Sequence, residues 1–209
     1  MSQATHRGPS ERRCLSHAAG LLSDMPQPPG QSTFQLRIQL NGVYPAIWRR
    51  LLVPGSVRMA KLANMLIAGM GWTNSHLHGF RVGEIIYAMD FDGLPQGAIH
   101  EEEVTVLQAL REEQHFNFDY DFGDSWEHEI LIEDFRRSKV GLKFAVCLDG
   151  ANACPPEDVG GTPGYAAFLQ AISDPTHEER DDYLDWVGGS FDPTEFNLGE
   201  VNALLQKVR

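Results

Sequence analysis

Three short stretches concentrate the side chains able to hold a cation or move a proton. His76 and His78 stand two apart in the first; Asp121, Asp124 and His128 lie in the second among Tyr120, Phe122 and Trp126; Cys147, Cys154, Glu157 and Asp158 form the third. A spacing of two on an extended strand puts side chains on one face, so His76 and His78 are expected to point together. His128 shares a strand face with Trp126, Ile130 and Ile132, which predicts a half-buried ring. Gly150 offers a turn that would bring Cys147 and Cys154 together. Imidazole and thiolate suit zinc, whereas carboxylates suit Mg²⁺, Ca²⁺ and Mn²⁺. The candidate metal ligands are therefore His76, His78, Asp124, His128, Cys147 and Cys154, and the cofactor would be zinc or another divalent cation. Against this stands a structural role: Asp and His at strand turns bond the backbone, and small cysteines fill cores.

Other chemistries find less support. Ser125 lies beside Asp124 and near His128, but the Gly-x-Ser-x-Gly elbow is absent. Cys147 and Cys154 lack the Cys-x-x-Cys spacing of thiol redox centres. Gly160-Gly161 ahead of Pro163 leaves backbone amides free for an anion, yet Glu157 and Asp158 beside them would repel one. Neither a Walker loop nor a dinucleotide fingerprint is present.

The elements that must position these residues can be read from periodicity. Phe34, Leu36, Ile38 and Leu40 alternate with polar residues as in a half-buried strand, and Asn41-Gly42 turns the chain towards a second strand at Ile47–Val53, delayed by Pro45. Ser56 is placed to cap a helix running to Met70, whose Met59, Leu62, Ala63, Leu66, Ile67 and Met70 make one apolar face and which Gly71 ends. Strands are expected at 76–82 and 84–89, a short helix at 104–110, a hairpin pairing 115–121 with 126–134, and a further strand at 142–148. Helices follow: one begun by Thr162 and Pro163, one capped by Thr176 and Glu179, and a last one carrying Leu198, Val201, Leu204, Leu205 and Val208 with Lys207 and Arg209 near its end. Strands first and helices last predict an α+β fold, a largely antiparallel sheet in the N-terminal two-thirds with one early helix and helices at the C-terminus. Residues 1–31, rich in Pro, Gly, Gln and Ser, are expected to form a disordered tail, leaving 32–209 as a single domain.

Several of these stretches carry a resemblance. Gly71-Trp72 followed by His76-Leu77-His78-Gly79-Phe80, then Tyr120-Asp121-Phe122-Gly123-Asp124-Ser125-Trp126-Glu127-His128, then Cys147 to Gly150, Cys154-Pro155-Pro156-Glu157-Asp158-Val159-Gly160-Gly161 and Gly164-Tyr165 resemble, in order and spacing, the plasmid pRiA4b open-reading-frame-three-like family. The resemblance spans about residues 33–208 and implies an α+β domain of unassigned function, labelled a mobile-element passenger. It supplies no reaction.

Charge narrows the partners. Net charge is −12, but residues 34–83 hold six bases and no acid, whereas 84–134 hold fifteen acids and one base, Arg111. Either the two halves attract one another in the fold, or they present patches of opposite sign. Six bases on so acidic a chain predict weak or no nucleic-acid binding. No apolar run reaches the roughly 18 residues of a membrane span, and no signal-peptide hydrophobic region is seen. With an odd count of three cysteines, the expectation is a cytoplasmic protein. The reading favoured is a binding or adaptor domain for a protein partner or small ligand, associated with a plasmid or mobile element. Its ligand surface is assigned to Tyr120, Asp121, Asp124, Trp126, His128, Glu157 and Asp158. The alternative is a metal-dependent, hydrolase-like enzyme built on His76, His78, Asp124 and His128.

Overall fold

The computed structural model describes residues 32–90, 93–137 and 141–208; the expected tail at 1–31 and the terminal Arg209 lie outside them. The elements run β1 (Ser32–Leu40), β2 (Trp48–Pro54), α1 (Met59–Met70), β3 (His78–Val82), β4 (Ile85–Ala88), β5 (Ile99–His100), α2 (Val106–Leu110), β6 (His115–Tyr120), β7 (Trp126–Arg137), β8 (Val146–Ala151), α3 (Gly161–Ser173), α4 (Arg180–Trp186) and α5 (Leu198–Leu205). This is the α+β fold the pattern predicts. Eight strands form one sheet in the order β5-β4-β3-β6-β7-β1-β2-β8, antiparallel throughout except for the short β4–β5 pair.

Strand alternation builds the core. Phe34, Leu36, Ile38 and Leu40 of β1 and Phe116, Phe118 and Tyr120 of β6 are buried against α1 and the later helices. The opposite face carries polar side chains, as an antiparallel sheet exposed on one side should. There Arg50 of β2 forks onto Glu133 of β7, Nε donating to Oε2 at 2.6 Å and Nη2 to Oε1 at 2.9 Å. Arg50 holds the Glu133 carboxyl below its ordinary range. The basic and acidic segments thus meet at this point within the sheet.

α1 departs from the expected one-sided amphipathic helix: nine of its twelve residues are buried. Ser56 does not cap it. The helix begins at Met59 after Arg58, and the free amides of Met59 and Ala60 donate instead to the carbonyls of Val104 and Glu101. Tertiary carbonyls satisfy a buried first turn as a capping hydroxyl would. Two other starts also moved. Thr176 turns its amide and hydroxyl onto Asp174, so α4 begins at Arg180 without a side-chain cap, and α3 starts after Gly160 in the left-handed region rather than at Thr162. α2 does carry a capping box, between Thr105 and Gln108.

The far end of α1 is held by a buried arginine. Arg49 donates through Nε to Gly69 O at 3.2 Å, through Nη2 to Met70 O at 3.2 Å, and through Nη1 to Trp48 O and Ala151 O at 2.8 and 2.9 Å. Its guanidinium lies 4.8 Å from the Phe196 ring centre. Among the described residues no carboxylate bonds it; the helix carbonyls supply the negative field. At the sheet edge, the Asn202 side chain accepts from Cys147 N and donates to Cys147 O, which blocks β8 from further pairing.

Replacing Arg49 by Met would leave buried carbonyls on α1 and β8 without donors. The expected loss is about 3–5 kcal/mol, with Lys recovering little because it cannot fork. Urea unfolding checks this as a lower midpoint with unchanged slope; a midpoint equal to wild type would contradict it.

Candidate functional site

Gly71 ends α1 with φ +129°, its amide and that of Trp72 both donating to Ile67 O. This turn delivers Trp72 to the connector between β8 and α3, where its indole N–H donates to Pro155 O at 3.0 Å. The next residues reach the same connector. Thr73 donates from its amide (2.8 Å) and its hydroxyl (2.9 Å) to Glu157 Oε1, and the Tyr120 hydroxyl donates to that oxygen at 2.9 Å while accepting from Ser75 N at 3.1 Å. Burial first, and Glu157 second, push the Tyr120 phenol far above its ordinary value, so it stays a donor. Glu157 is thereby clamped through one oxygen, and its Oε2 is buried without a hydrogen-bond partner among the described residues.

The turn between β6 and β7 supplies the opposite wall. Asp121 adopts φ +54° and Ser125 φ +55°. An Asp tolerates the left-handed region because its short side chain bonds the local backbone. Here Asp121 Oδ1 accepts from Gly123 N at 2.9 Å and Asp124 N at 3.3 Å. Its Oδ2 faces His76 Nδ1 at 3.5 Å. On the other side of the ring, His76 Nε2 stands 3.3 Å from Asp158 Oδ1 and 3.8 Å from Glu157 Oε2. That nitrogen too is buried without a hydrogen-bond partner among the described residues. His76, Asp121 and Asp158 each offer a donor atom within 4.8 Å of the others, the one such group of His, Cys, Asp or Glu among the described residues.

The remaining expected site residues do structural work. His76 precedes β3 and does not share a face with His78, which is buried and meets Glu101 Oε1 at 3.2 Å. Asp124 Oδ2 accepts from Gly160 N at 3.0 Å and so anchors the start of α3. Gly161 packs onto Asp124 O so closely that a Cβ there would lie 2.4 Å from it. Tyr120, Trp126 and His128, expected on a ligand surface, are fully buried, and only the Tyr120 hydroxyl reaches the cluster. His128 Nδ1 lies 3.1 Å from Phe118 O, its ring stands edge-on to Trp72, and burial pushes its pKa down to about 4. Cys147 and Cys154 are free thiols pushed above their ordinary range by burial, and neither joins the His76 group. Sequence patterning alone does not single out Thr73 or Arg49. Their signals, a Thr after Gly-Trp and one of two adjacent arginines, are too common to single out.

Two hollows adjoin the cluster. One, of about 460 Å³, lies between the connector and the C-terminal region and includes Trp72, Glu157, Asp158, Trp186 and Phe191 in its lining. The other, of about 420 Å³, is lined by Asp158, Val159, Glu179, Asp182, Tyr183 and Trp186. Asp158 and Trp186 belong to both, and no lysine or arginine lines either.

His128 carries a pH prediction. Its pKa falls from 6.5 to about 4 on folding, so between those values the unfolded chain takes up a proton that the buried ring refuses. This contribution to stability is fully present above about pH 6.5 and is lost as pH falls towards 4, costing about 2 kcal/mol between pH 7 and 5. Urea unfolding at the two pH values should show a correspondingly smaller acid loss in His128→Phe. Equal losses in the two proteins would contradict it.

The family model for Plasmid pRiA4b ORF-3-like protein matches residues 32–200. A Sinorhizobium fredii protein, described as uncharacterized protein y4hQ, is 38% identical over 180 residues, covering 85% of this chain and 92% of the relative. The crystal structure of a protein of unknown function, MM3350 from Methanosarcina mazei Go1, superposes with a TM-score of 0.73 at 29% identity, covering 81% of this chain and 97% of that one. The clamped connector, the Asp121 turn and the Gly71-Trp72 helix end all fall inside the matched span, and the chain belongs to the plasmid pRiA4b ORF-3-like family.

Proposed function

We propose that the domain is a binding module for a cationic segment of a partner protein, seated along the two hollows that meet at Asp158 and Trp186. The observation that carries this reading is the groove's lining: Glu157, Asp158, Glu179 and Asp182 provide carboxylates, Trp72, Tyr183, Trp186 and Phe191 provide aromatic surface, and no basic side chain competes. Trp186 is 48% exposed. A lysine or arginine side chain fits such a lining twice over, its charge on the carboxylates and its stem or guanidinium on the indole face. Preformed walls favour binding because little has to be ordered; the connector is bonded through Pro155, Glu157 and Gly160.

A binding role also suits the nearby nucleophile candidate. The Ser125 hydroxyl donates to Phe122 O at 3.5 Å, a turn bond rather than a bond to a base. Among the described residues no helix is long and apolar enough to cross a membrane. The unpaired thiols of Cys147 and Cys154 support a cytoplasmic setting. Arg49 is buried and Arg50 is paired with Glu133, which supports weak nucleic-acid binding at most. Service to a plasmid or other mobile element is compatible with an adaptor of this kind.

The test is a fluorescence titration with an arginine- and lysine-bearing peptide and its glutamate-bearing counterpart. The basic peptide should bind and the acidic one should not. Trp186→Ala should weaken binding about fivefold, and Glu179→Gln with Asp182→Asn about tenfold. Neutralising Glu127 and Glu129 on the open sheet face removes the same charge and should change affinity less than about twofold. Equal losses in the two double variants would reduce the effect to net charge and overturn the proposal.

A further inference from the structure

We propose that His76, Asp121 and Asp158 bind one divalent transition-metal ion, with the free oxygen of Glu157 completing the carboxylate wall. This site goes beyond the groove reading: it shares Glu157 and Asp158 with the groove lining but adds His76 and Asp121, which line neither hollow. It differs from every ligand set suggested by sequence spacing, because it takes one residue from the segment before β3, one from the β6–β7 turn and one from the connector.

Three observations bear on it. The first is separation. Donors around one ion at about 2.1 Å stand roughly 3.0–3.5 Å apart. About one ring nitrogen, His76 Nε2 is 3.3 Å from Asp158 Oδ1 and 3.8 Å from Glu157 Oε2, and one ligand atom each of His76, Asp121 and Asp158 lies within 4.8 Å of the other two. The second is unmet bonding. His76 Nε2 and Glu157 Oε2 are both buried, stand 3.8 Å apart, and have no hydrogen-bond partner among the described residues. Buried polar atoms are ordinarily paired, so two orphans facing each other at this distance leave room for an ion or a water that bonds both. The third is preorganisation. Asp121 is held through Oδ1 by two backbone amides and Glu157 through Oε1 by three donors, which leaves the second oxygen of each turned to His76. Orienting bonds of this kind are typical of metal-ligating carboxylates. Asp158, with 73% of its side chain exposed, leaves one side of the site open to solvent.

The donor set selects among cations. One imidazole with carboxylates suits Zn²⁺, Mn²⁺ or Fe²⁺, whereas Ca²⁺ and Mg²⁺ favour all-oxygen sites. The competing arrangement has no metal, and His76 bonds the carboxylates directly.

Untagged full-length protein, stripped with chelator, is titrated calorimetrically with Zn²⁺, Mn²⁺ and Ca²⁺. The expected result is one saturable Zn²⁺ or Mn²⁺ site per chain, Ca²⁺ weaker by at least about tenfold, and a raised melting temperature with the bound ion. His76→Gln and Asp158→Asn should each weaken binding about 10–100-fold. Asp158→Asn is the decisive variant, since His76 is its only ion-pair partner among the described residues and Asn accepts its backbone at φ +60°, so it should fold even if the His76 variant does not. Glu179→Gln with Asp182→Asn, outside the cluster, should bind the ion as wild type does, which separates this site from the groove. No saturable binding, unchanged affinity in Asp158→Asn, or binding lost only when Cys147 and Cys154 are replaced by Ser would each overturn the proposal.

Discussion

The placement of the site depends on one buried guanidinium. Arg49 reaches from β2 to the last carbonyls of α1, to its neighbour Trp48 and to Ala151 of β8. A planar fork is the side chain able to meet carbonyls in several directions at once. A helix C-terminus is also where a cation without a carboxylate partner is most easily buried. Burial lowers the pKa of Arg49, yet a guanidinium remains charged far above neutrality. The bond set fixes where α1 stops relative to the sheet edge. Gly71 and Trp72 follow at once, so the same set fixes where the chain enters the site. Gly150 is part of this arrangement: a side chain there would collide with Phe196 and with Arg49 itself.

From that point each wall of the site is held by bonds whose other atoms are left free. Trp72 fastens the connector at Pro155, Thr73 and Tyr120 take one oxygen of Glu157, and Asp124 takes the amide of Gly160. Asp121 spends one oxygen on its own turn. The residues that read as ligands therefore divide into two groups. Asp124, His128 and Trp126 build the frame, and His76, Asp121, Glu157 and Asp158 present donors from it. Oriented donors of low mobility are what both an ion and a cationic side chain require.

Much of the fold was legible in the sequence because period-two and helical patterns are local. β1, β6, β7 and α5 appear close to where alternation and spacing put them. What was not legible arose from tertiary partners. Ser56 lost the cap of α1 to carbonyls of Glu101 and Val104, and Thr176 lost that of α4 to Asp174. β5, two residues long, has no periodicity to detect. At the site, His76, Asp121, Glu157 and Asp158 could each be named as chemistry-bearing, but not grouped. The pairing of His76 with His78 assumed that β3 began two residues early; one bend before the strand sends His76 to the carboxylates and leaves His78 in the core with Glu101. His128 was expected to be half-buried, but Trp72 closes over it.

The central claim is that the connector and the β6–β7 turn are fixed so that their free carboxylate oxygens and His76 enclose a cation. Anomalous diffraction from crystals grown with Zn²⁺ or Mn²⁺ measures this directly. The account predicts a single strong peak bounded by His76, Asp121 and Asp158, with the Tyr120–Glu157 and Asp124–Gly160 bonds unchanged. A peak at Cys147 and Cys154 instead, or no peak with His76 hydrogen-bonded to Asp158, would contradict it.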